Sequence, residues 1–226
     1  DIIARNFKNL PASEFNMLSV FRVFARIGFG FSRPKRQILG NTFAGIVVMV
    51  GSDVRQFKEG DQVFGYTGEN MGAYAEYLCI PEDGIIAPKP SNMTYEEASA
   101  VPYGATMALC LLKKVNIQKG QRVIVIGASG AIGSAAVQLA GHYYGAEVTG
   151  VCSTQGIEFV KSLGAGKVID YKKEDFTKNG ESYDLIIDVL GRGSFSKYRA
   201  SLGPNGIYMP VSFKTGKLLQ MLRTSV

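Results

Sequence analysis

The stretch Val123-Ile-Val-Ile-Gly127-Ala-Ser-Gly130-Ala-Ile-Gly133 decides the fold, because it joins an apolar run, three spaced glycines and the start of an amphipathic segment. The β-branched run predicts a buried strand. Gly127 allows a tight exit from that strand, Gly130 lets the backbone approach a pyrophosphate, and Gly133 permits close packing of helix on strand. This order is typical of a dinucleotide site, although glycine turns also occur in α/β sheets that bind no nucleotide.

The helix predicted after this turn offers unpaired N–H groups and the positive end of its dipole to an anion. Its apolar residues follow helical spacing from Ile132 to Tyr143. We therefore predict that the pyrophosphate of a cofactor lies against Ser129, Gly130, Ala131 and Ile132.

The second half of the chain, from about Asn116 onward, alternates short apolar runs with helical segments. Five buried strands are predicted at residues 123–126, 148–151, 168–169, 185–189 and 207–211, with further helices at 157–163 and 195–202. Strands that alternate with helices indicate an α/β fold with a doubly wound parallel sheet.

The first half is instead punctuated by glycine and proline. Short β-like stretches at 44–50, 62–65 and 73–80 lie between these breaks and predict an irregular, antiparallel, barrel-like domain. Residues 95–112 are expected to form a helix and connector between the two halves.

The end of the second predicted strand bears on the choice between NAD and NADP. An NAD site usually places an acid about 20 residues past the glycines, where it holds the ribose hydroxyls and repels a 2′-phosphate. This chain has Ser153 and Thr154 there, and Tyr171 with two lysines follows the next strand. We predict NADP as the cofactor. In the alternative interpretation, the two hydroxyl residues only cap the following helix.

Composition excludes several classes of protein. The 226 residues carry a net charge of +6 and are 46% hydrophobic, which suits a globular protein with its own core. The basic run from Arg33 to Arg36 contains a proline and does not resemble a nucleic-acid patch, so no nucleic-acid partner is expected. The most apolar stretch, residues 15–31, is interrupted by Arg22 and Arg26, so no membrane span is predicted.

The sequence also lacks an obvious metal site. Its three cysteines, Cys79, Cys110 and Cys152, are far apart, and His142 is its only histidine. A zinc site would need most of these residues at one point. An odd number of widely separated cysteines suits a reducing compartment, and we predict a cytoplasmic location.

Seven segments together resemble the medium-chain dehydrogenase/reductase superfamily, in its zinc-free, quinone-oxidoreductase-like (zeta-crystallin-like) branch. They are Leu39-Gly-Asn-Thr-Phe-Ala-Gly45, Phe57-Lys-Glu-Gly-Asp-Gln-Val-Phe-Gly65, Gly72-Ala-Tyr-Ala-Glu-Tyr77, Ala100-Val-Pro-Tyr-Gly-Ala-Thr106, the glycine turn, Val168-Ile-Asp-Tyr171 and the region from Tyr183-Asp184 through Gly191.

This resemblance implies a partial GroES-like, β-rich catalytic domain with its connecting helix at residues 1–115 and a Rossmann NADP-binding domain at 116–226. Substrate and nicotinamide would meet between them. Zinc-dependent relatives carry His-Glu where this chain has Asn41-Thr42, which disfavours zinc chemistry. Family members also extend beyond both ends of the chain, and Asp1 and Arg5 match a family segment entered partway through, so we expect a fragment or a chain with missing ends.

The reaction implied without a metal is hydride transfer from NADPH to a small hydrophobic quinone or α,β-unsaturated carbonyl. Tyr66 and Tyr103 are candidate proton donors, although most tyrosines serve in packing. Thr106 matches a family position near the nicotinamide, and Tyr171 and Leu190 are assigned to the cofactor site.

Three questions stay open at this point. Residues 15–31 suit either a lid over the active-site mouth or a plain core helix. A non-catalytic nucleotide-binding protein with an RNA-binding or structural role is the alternative function. The oligomeric state is also open, with a homodimer as one outcome.

Overall fold

The computed structural model describes residues 37–191 and 193–212. The predicted lid at residues 15–31, the basic run from Arg33 to Arg36, and the family match at Asp1 and Arg5 lie outside the described residues. The chain divides into two compact units between Tyr103 and Gly104.

The first unit contains a three-stranded antiparallel sheet in the order β1-β2-β3. Its strands are β1 (Thr42–Ile46), β2 (Gln62–Tyr66) and β3 (Ile85–Pro88). A 3-10 turn, Gly68–Asn70, follows β2. The predicted antiparallel arrangement is confirmed for these strands.

One strand prediction is wrong. Residues 73–80 do not form a strand, because the N–H groups of Ala73 and Tyr74 donate to the carbonyls of Gly40 and Leu39 in an irregular segment. The third strand lies instead at Ile85–Pro88, and Pro88 at its end cannot donate a ladder hydrogen bond.

The long helix α1 (Tyr95–Val115) crosses the division between the units. A reciprocal pair of hydrogen bonds fixes its start: the Glu97 N–H donates to Thr94 Oγ1 at 3.2 Å, and the Thr94 N–H donates to Glu97 Oε2 at 2.9 Å. This capping box satisfies two N–H groups of the first turn and agrees with the helix predicted for 95–112.

The second unit contains five parallel strands in the order β6-β5-β4-β7-β8. They are β4 (Arg122–Ile126), β5 (Glu147–Cys152), β6 (Lys167–Asp170), β7 (Tyr183–Asp188) and β8 (Leu202–Pro210). From β4 the chain adds two strands on one side and then two on the other, which is the doubly wound topology predicted.

The connections of this sheet are helical. They contain α2 (Ala131–Gln138) continued by a π-helical turn (Leu139–Tyr143), α3 (Ile157–Ser162) preceded by a 3-10 turn (Thr154–Gly156), a 3-10 turn at Phe176–Lys178, and α4 (Phe195–Tyr198) followed by a 3-10 turn (Arg199–Ser201). The helix predicted for 195–202 therefore ends one residue early, because Leu202 already pairs with Tyr183 in the sheet.

The central strand β4 is buried on both faces. Val123 and Val125 pack into one hydrophobic cluster, and Ile124 and Ile126 pack into another on the opposite face. Because successive residues of a strand point to opposite sides, an unbroken apolar run is what a strand covered on both faces requires. The carboxyl end of this buried strand leads directly into the glycine turn.

Candidate functional site

The glycine turn between β4 and α2 is held by backbone hydrogen bonds. The N–H groups of Gly127 and Ala128 both donate to the Val151 carbonyl of β5, at 2.9 and 3.0 Å. The Gly130 N–H donates back to the Gly127 carbonyl at 3.1 Å. The turn is thus tied to the neighbouring strand and to itself.

The three glycines of the turn differ in how strictly the backbone requires glycine at their positions. Gly127 has φ +86°, which favours glycine. A β-carbon at Gly133 would collide with the carbonyl of Gly127 and lie 2.9 Å from the Ala128 α-carbon. At Gly130, where φ is −85°, a β-carbon would meet only the Gly127 carbonyl oxygen, at 3.5 Å. The fold therefore needs Gly127 and Gly133, whereas it leaves room at Gly130.

The N-terminus of α2 carries no side-chain cap. Gly130 is the N-cap residue and has no side chain to accept the first N–H groups of the helix, which belong to residues such as Ala131 and Ile132. Uncapped N–H groups and the helix dipole favour an anion at this position. The geometry fits the predicted pyrophosphate contact of Ser129, Gly130, Ala131 and Ile132.

The turn that follows β5 packs against the glycine turn. A β-carbon at Gly156 would lie 3.0 Å from the Ser129 β-carbon and 3.2 Å from its Oγ. Ser153 is the N-cap residue of the 3-10 turn, but its side chain makes no capping hydrogen bond. The N-cap residue of α3 is Gly156, which has no side chain to form such a bond. The alternative in which Ser153 and Thr154 cap the helix is therefore wrong.

Asp170, at the carboxyl end of β6, belongs to this region and was not predicted. Thr154 Oγ1 donates to Asp170 Oδ2 at 2.6 Å, and the Lys172 N–H donates to Asp170 Oδ1 at 3.0 Å. The hydrogen bond from Thr154 contributes most to a lowered pKa of the Asp170 carboxyl, followed by that from Lys172. Asp170 pairs with Cys152, the last residue of the neighbouring strand β5, and this pairing brings it within reach of Thr154, a contact that no local sequence pattern reveals.

A cavity of about 260 Å³ opens at the carboxyl ends of the strands. Of the predicted cofactor residues, Tyr171 and Leu190 line it, together with Gly127 of the turn. Its other lining residues are Ile126, Val151, Glu174, Asp175, Phe176, Lys197 and Tyr198, none of which sequence reasoning had assigned to the site. Apolar walls with a few charged groups suit the adenosine half of a dinucleotide.

The loop that carries Leu190 is anchored by a buried carboxylate at the end of β7. Asp188 Oδ2 accepts hydrogen bonds from the Gly193 N–H at 3.0 Å and from the Tyr208 hydroxyl at 3.1 Å. Burial and the nearby Asp188 raise the pKa of Tyr208. The tyrosine therefore stays protonated and serves this anchor as a donor.

Thr106 lies half-buried on α1, two residues after Gly104. A β-carbon at Gly104 would collide with the Ala131 carbonyl, so α1 passes directly against the first residue of α2. The structure thereby brings the helix that carries Thr106 next to the glycine turn, and the place of Thr106 near the nicotinamide stays a prediction.

In the first unit, the structure brings the two candidate proton donors together. The rings of Tyr66 and Tyr103 have centroids 5.9 Å apart, and Tyr103 is 39% exposed. Tyr66 ends β2 directly opposite Thr42, the first residue of β1.

Within residues 37–191 and 193–212, no group of three or more His, Cys, Asp or Glu side chains is arranged to hold a metal ion. In the same part of the chain, no helix combines the length and apolar character that crossing a membrane would require.

Two family models match the chain. The alcohol dehydrogenase GroES-like domain matches residues 16–91, and the zinc-binding dehydrogenase model matches residues 131–224, within the second unit. The predicted combination of a GroES-like domain with a parallel-sheet domain is thereby confirmed.

Curated relatives and solved structures agree with these matches. The chain is 38% identical to the 2-methylene-furan-3-one reductase of Solanum lycopersicum and 36% identical to a chloroplastic NADPH-dependent alkenal/one oxidoreductase of Arabidopsis thaliana, over 71% and 70% of its length. It spans 43% of the length of each of these relatives. The chain is also similar to the solved structure of the quinone oxidoreductase from Coxiella burnetii, with a TM-score of 0.74 and 28% sequence identity. This match covers 91% of the present chain and 67% of the Coxiella burnetii chain.

Proposed function

The chain belongs to the quinone-oxidoreductase-like branch of the medium-chain dehydrogenase/reductase superfamily, and we propose that it acts as a zinc-independent NADPH-dependent oxidoreductase. Its acceptor is a small hydrophobic quinone or α,β-unsaturated carbonyl. The observation that carries this proposal is the open, uncapped α2 terminus at Gly130, where the fold leaves room for a phosphate.

The residues present fit NADPH. The backbone at Ser129, Gly130, Ala131 and Ile132 would hold the pyrophosphate, because α2 begins there without a side-chain cap. When bound, the reduced nicotinamide supplies the hydride. Thr106, on the helix that passes the glycine turn, is the proposed neighbour of the nicotinamide.

The proposed preference for NADPH over NADH rests on the turns after β5 and β6. Ser153 stands where an NAD site has an acid, and its hydroxyl is not used in capping. Lys172 and Lys173 are exposed and contribute to the low pKa of Asp170, so their positive charges act in this region. Tyr171 and Leu190 would flank the adenosine in the cavity that they line.

Zinc independence is proposed from the residues at the catalytic position. Asn41 and Thr42 replace the histidine and glutamate of zinc-dependent relatives. A quinone or enone is already electron-poor, so it needs orientation and modest polarisation more than a Lewis acid. Tyr66 and Tyr103, with their rings in contact, are the proposed source of that polarisation and of the proton.

The names of the relatives support this reaction class, since one reduces a methylene-furanone and another acts on alkenals and enones with NADPH. In this proposal, the GroES-like catalytic domain ends at residue 115 and the NADP-binding domain begins at residue 116. The cytoplasmic location and the homodimer remain predictions, and one of the two relatives is described as chloroplastic.

The experiment that tests the proposal follows NADPH oxidation by the full-length protein with a panel of quinones, enones and saturated aldehydes, each with and without a chelator. We expect turnover of quinones or enones, no turnover of the saturated aldehydes and no effect of the chelator. NADPH binding without turnover of any acceptor would support the non-catalytic alternative instead.

A further inference from the structure

Asp170 joins the two turns in which the proposed 2′-phosphate site lies. Its carboxylate accepts a hydrogen bond from the Thr154 hydroxyl at 2.6 Å and another from the Lys172 N–H at 3.0 Å. Because β5 and β6 are neighbours in the sheet, Asp170 at the end of β6 reaches the turn that follows β5. Each of its oxygens therefore holds a different turn.

This arrangement determines what Thr154 can offer to a ligand. A hydroxyl group has one proton to donate and two lone pairs that accept. The Thr154 proton is given to Asp170, so only lone pairs remain for another partner. A phosphate oxygen is itself an acceptor, and it gains no hydrogen bond from a threonine in this state.

The charge of Asp170 opposes the same ligand. The residue about 20 positions past the glycines contacts the 2′ group of the cofactor, and that residue here is Ser153, the neighbour of Thr154. Asp170 is 7% exposed and lies one hydrogen bond away from Thr154. A buried carboxylate that lies one hydrogen bond from Thr154 repels a phosphate bound beside Ser153.

We infer that Asp170 is a specificity-determining residue that limits the affinity for NADPH, by withholding the Thr154 proton and by placing a negative charge beside the 2′-phosphate. This inference rests on the proposed function. Lys172 and Lys173 offset part of the repulsion, so the preference for NADPH survives but is weaker than the lysines alone would give.

The test is the variant Asp170→Asn, whose amide keeps both hydrogen bonds. The side-chain oxygen accepts from the Lys172 N–H, and the amide NH₂ donates to Thr154 Oγ1, which frees the threonine proton for a phosphate. Isothermal titration should give a Kd for NADPH about tenfold lower than that of the wild type, with the Kd for NADH within about twofold.

Glu147→Gln is the matched control, because Glu147 is an exposed acid at the opposite end of β5 and its replacement changes the net charge equally. It should leave both dissociation constants unchanged. Asp170→Ser, which also removes the charge, repeats the test with a different side chain.

An unchanged or higher Kd for NADPH in folded Asp170→Asn overturns the inference, as does an equal gain for NADH or for Glu147→Gln. Failure of both Asp170 variants to fold also overturns it, because the carboxylate would then be structural. A wild-type protein that binds neither NADPH nor NADH overturns the proposed function itself, which separates the two failures.

Discussion

The α-carbon of Gly133, in the first turn of α2, faces the carbonyl of Gly127 so closely that no β-carbon fits between them. The contact is backbone against backbone, so no side chain can move away to relieve it. It sets how closely α2 approaches the end of β4, and it thereby fixes where the uncapped N–H groups of the helix point. The pyrophosphate site proposed here depends on that approach.

Gly133→Ala should destabilise the protein. The added methyl group forces α2 away from the turn, and overpacking of this kind costs about 1–3 kcal/mol of the free energy of unfolding. Urea denaturation of the apoprotein measures this cost. Gly130→Ala is the control, since its β-carbon would meet only one oxygen at 3.5 Å, and equal stability of the two variants would contradict the structural role of Gly133.

Ser153→Asp should reverse the cofactor preference. The new carboxylate would repel a 2′-phosphate and accept hydrogen bonds from the ribose hydroxyls of NADH. We expect the ratio of the dissociation constants for NADPH and NADH to rise at least about tenfold by isothermal titration. Ser153→Ala, which removes only the hydroxyl, should change that ratio less, and a neutral effect of Ser153→Asp would place the adenosine elsewhere.

Acidification should destabilise the loop after β6 through Asp175. Its side chain accepts hydrogen bonds from the Thr177 hydroxyl at 2.8 Å and the Thr177 N–H at 3.1 Å, and these hydrogen bonds lower the pKa of Asp175 below 3.8. A carboxyl whose pKa is lowered on folding stabilises the folded state at pH values above its pKa in the unfolded chain. This contribution is lost as the pH falls through its pKa in the folded protein.

In Asp175→Asn, the free energy of unfolding should therefore decrease less as the pH falls below 3.8 than it does in the wild type. Urea denaturation across the acidic range measures this difference. Thr177→Val removes only the hydroxyl donor and should show part of this difference. An identical pH dependence in wild type and Asp175→Asn would show that the hydrogen bonds of Asp175 do not contribute.

Activity should not need zinc. If Asn41 and Thr42 occupy the catalytic metal position, as the family resemblance implies, neither residue offers the imidazole or carboxylate that zinc needs, and elemental analysis of the purified protein should find no stoichiometric zinc. Treatment with a chelator should leave NADPH oxidation unchanged. One zinc per chain, together with loss of activity on chelation, would overturn the zinc-independent mechanism.

The parallel sheet could be predicted from the sequence because its strands are buried on both faces. Such strands appear as unbroken runs of β-branched residues, as at Val123–Ile126 in β4, and glycines mark the turns between them. The first half gave a weaker signal. Residues 73–80 have the composition of a strand, but their backbone bonds to the segment at Gly40, a long-range pairing that no local pattern reveals.

The glycine turn could be predicted for the same local reason, since its three glycines are consecutive parts of one motif. Asp170 could not. Its role depends on β6 lying beside β5, which brings Thr154 within 2.6 Å across 16 positions of sequence. The cavity residues Lys197 and Tyr198 were missed likewise, because α4 reaches the site only through tertiary packing.

The most direct test of the account is NADPH binding by Gly130→Val. Valine at φ −85° is compatible with the turn, and its side chain would occupy the space that the phosphate oxygens need. Circular dichroism and the Tm of the apo variant should match the wild type, while isothermal titration should detect no NADPH binding. A folded Gly130→Val protein with wild-type affinity for NADPH would remove the glycine turn from the cofactor site and contradict the proposed function.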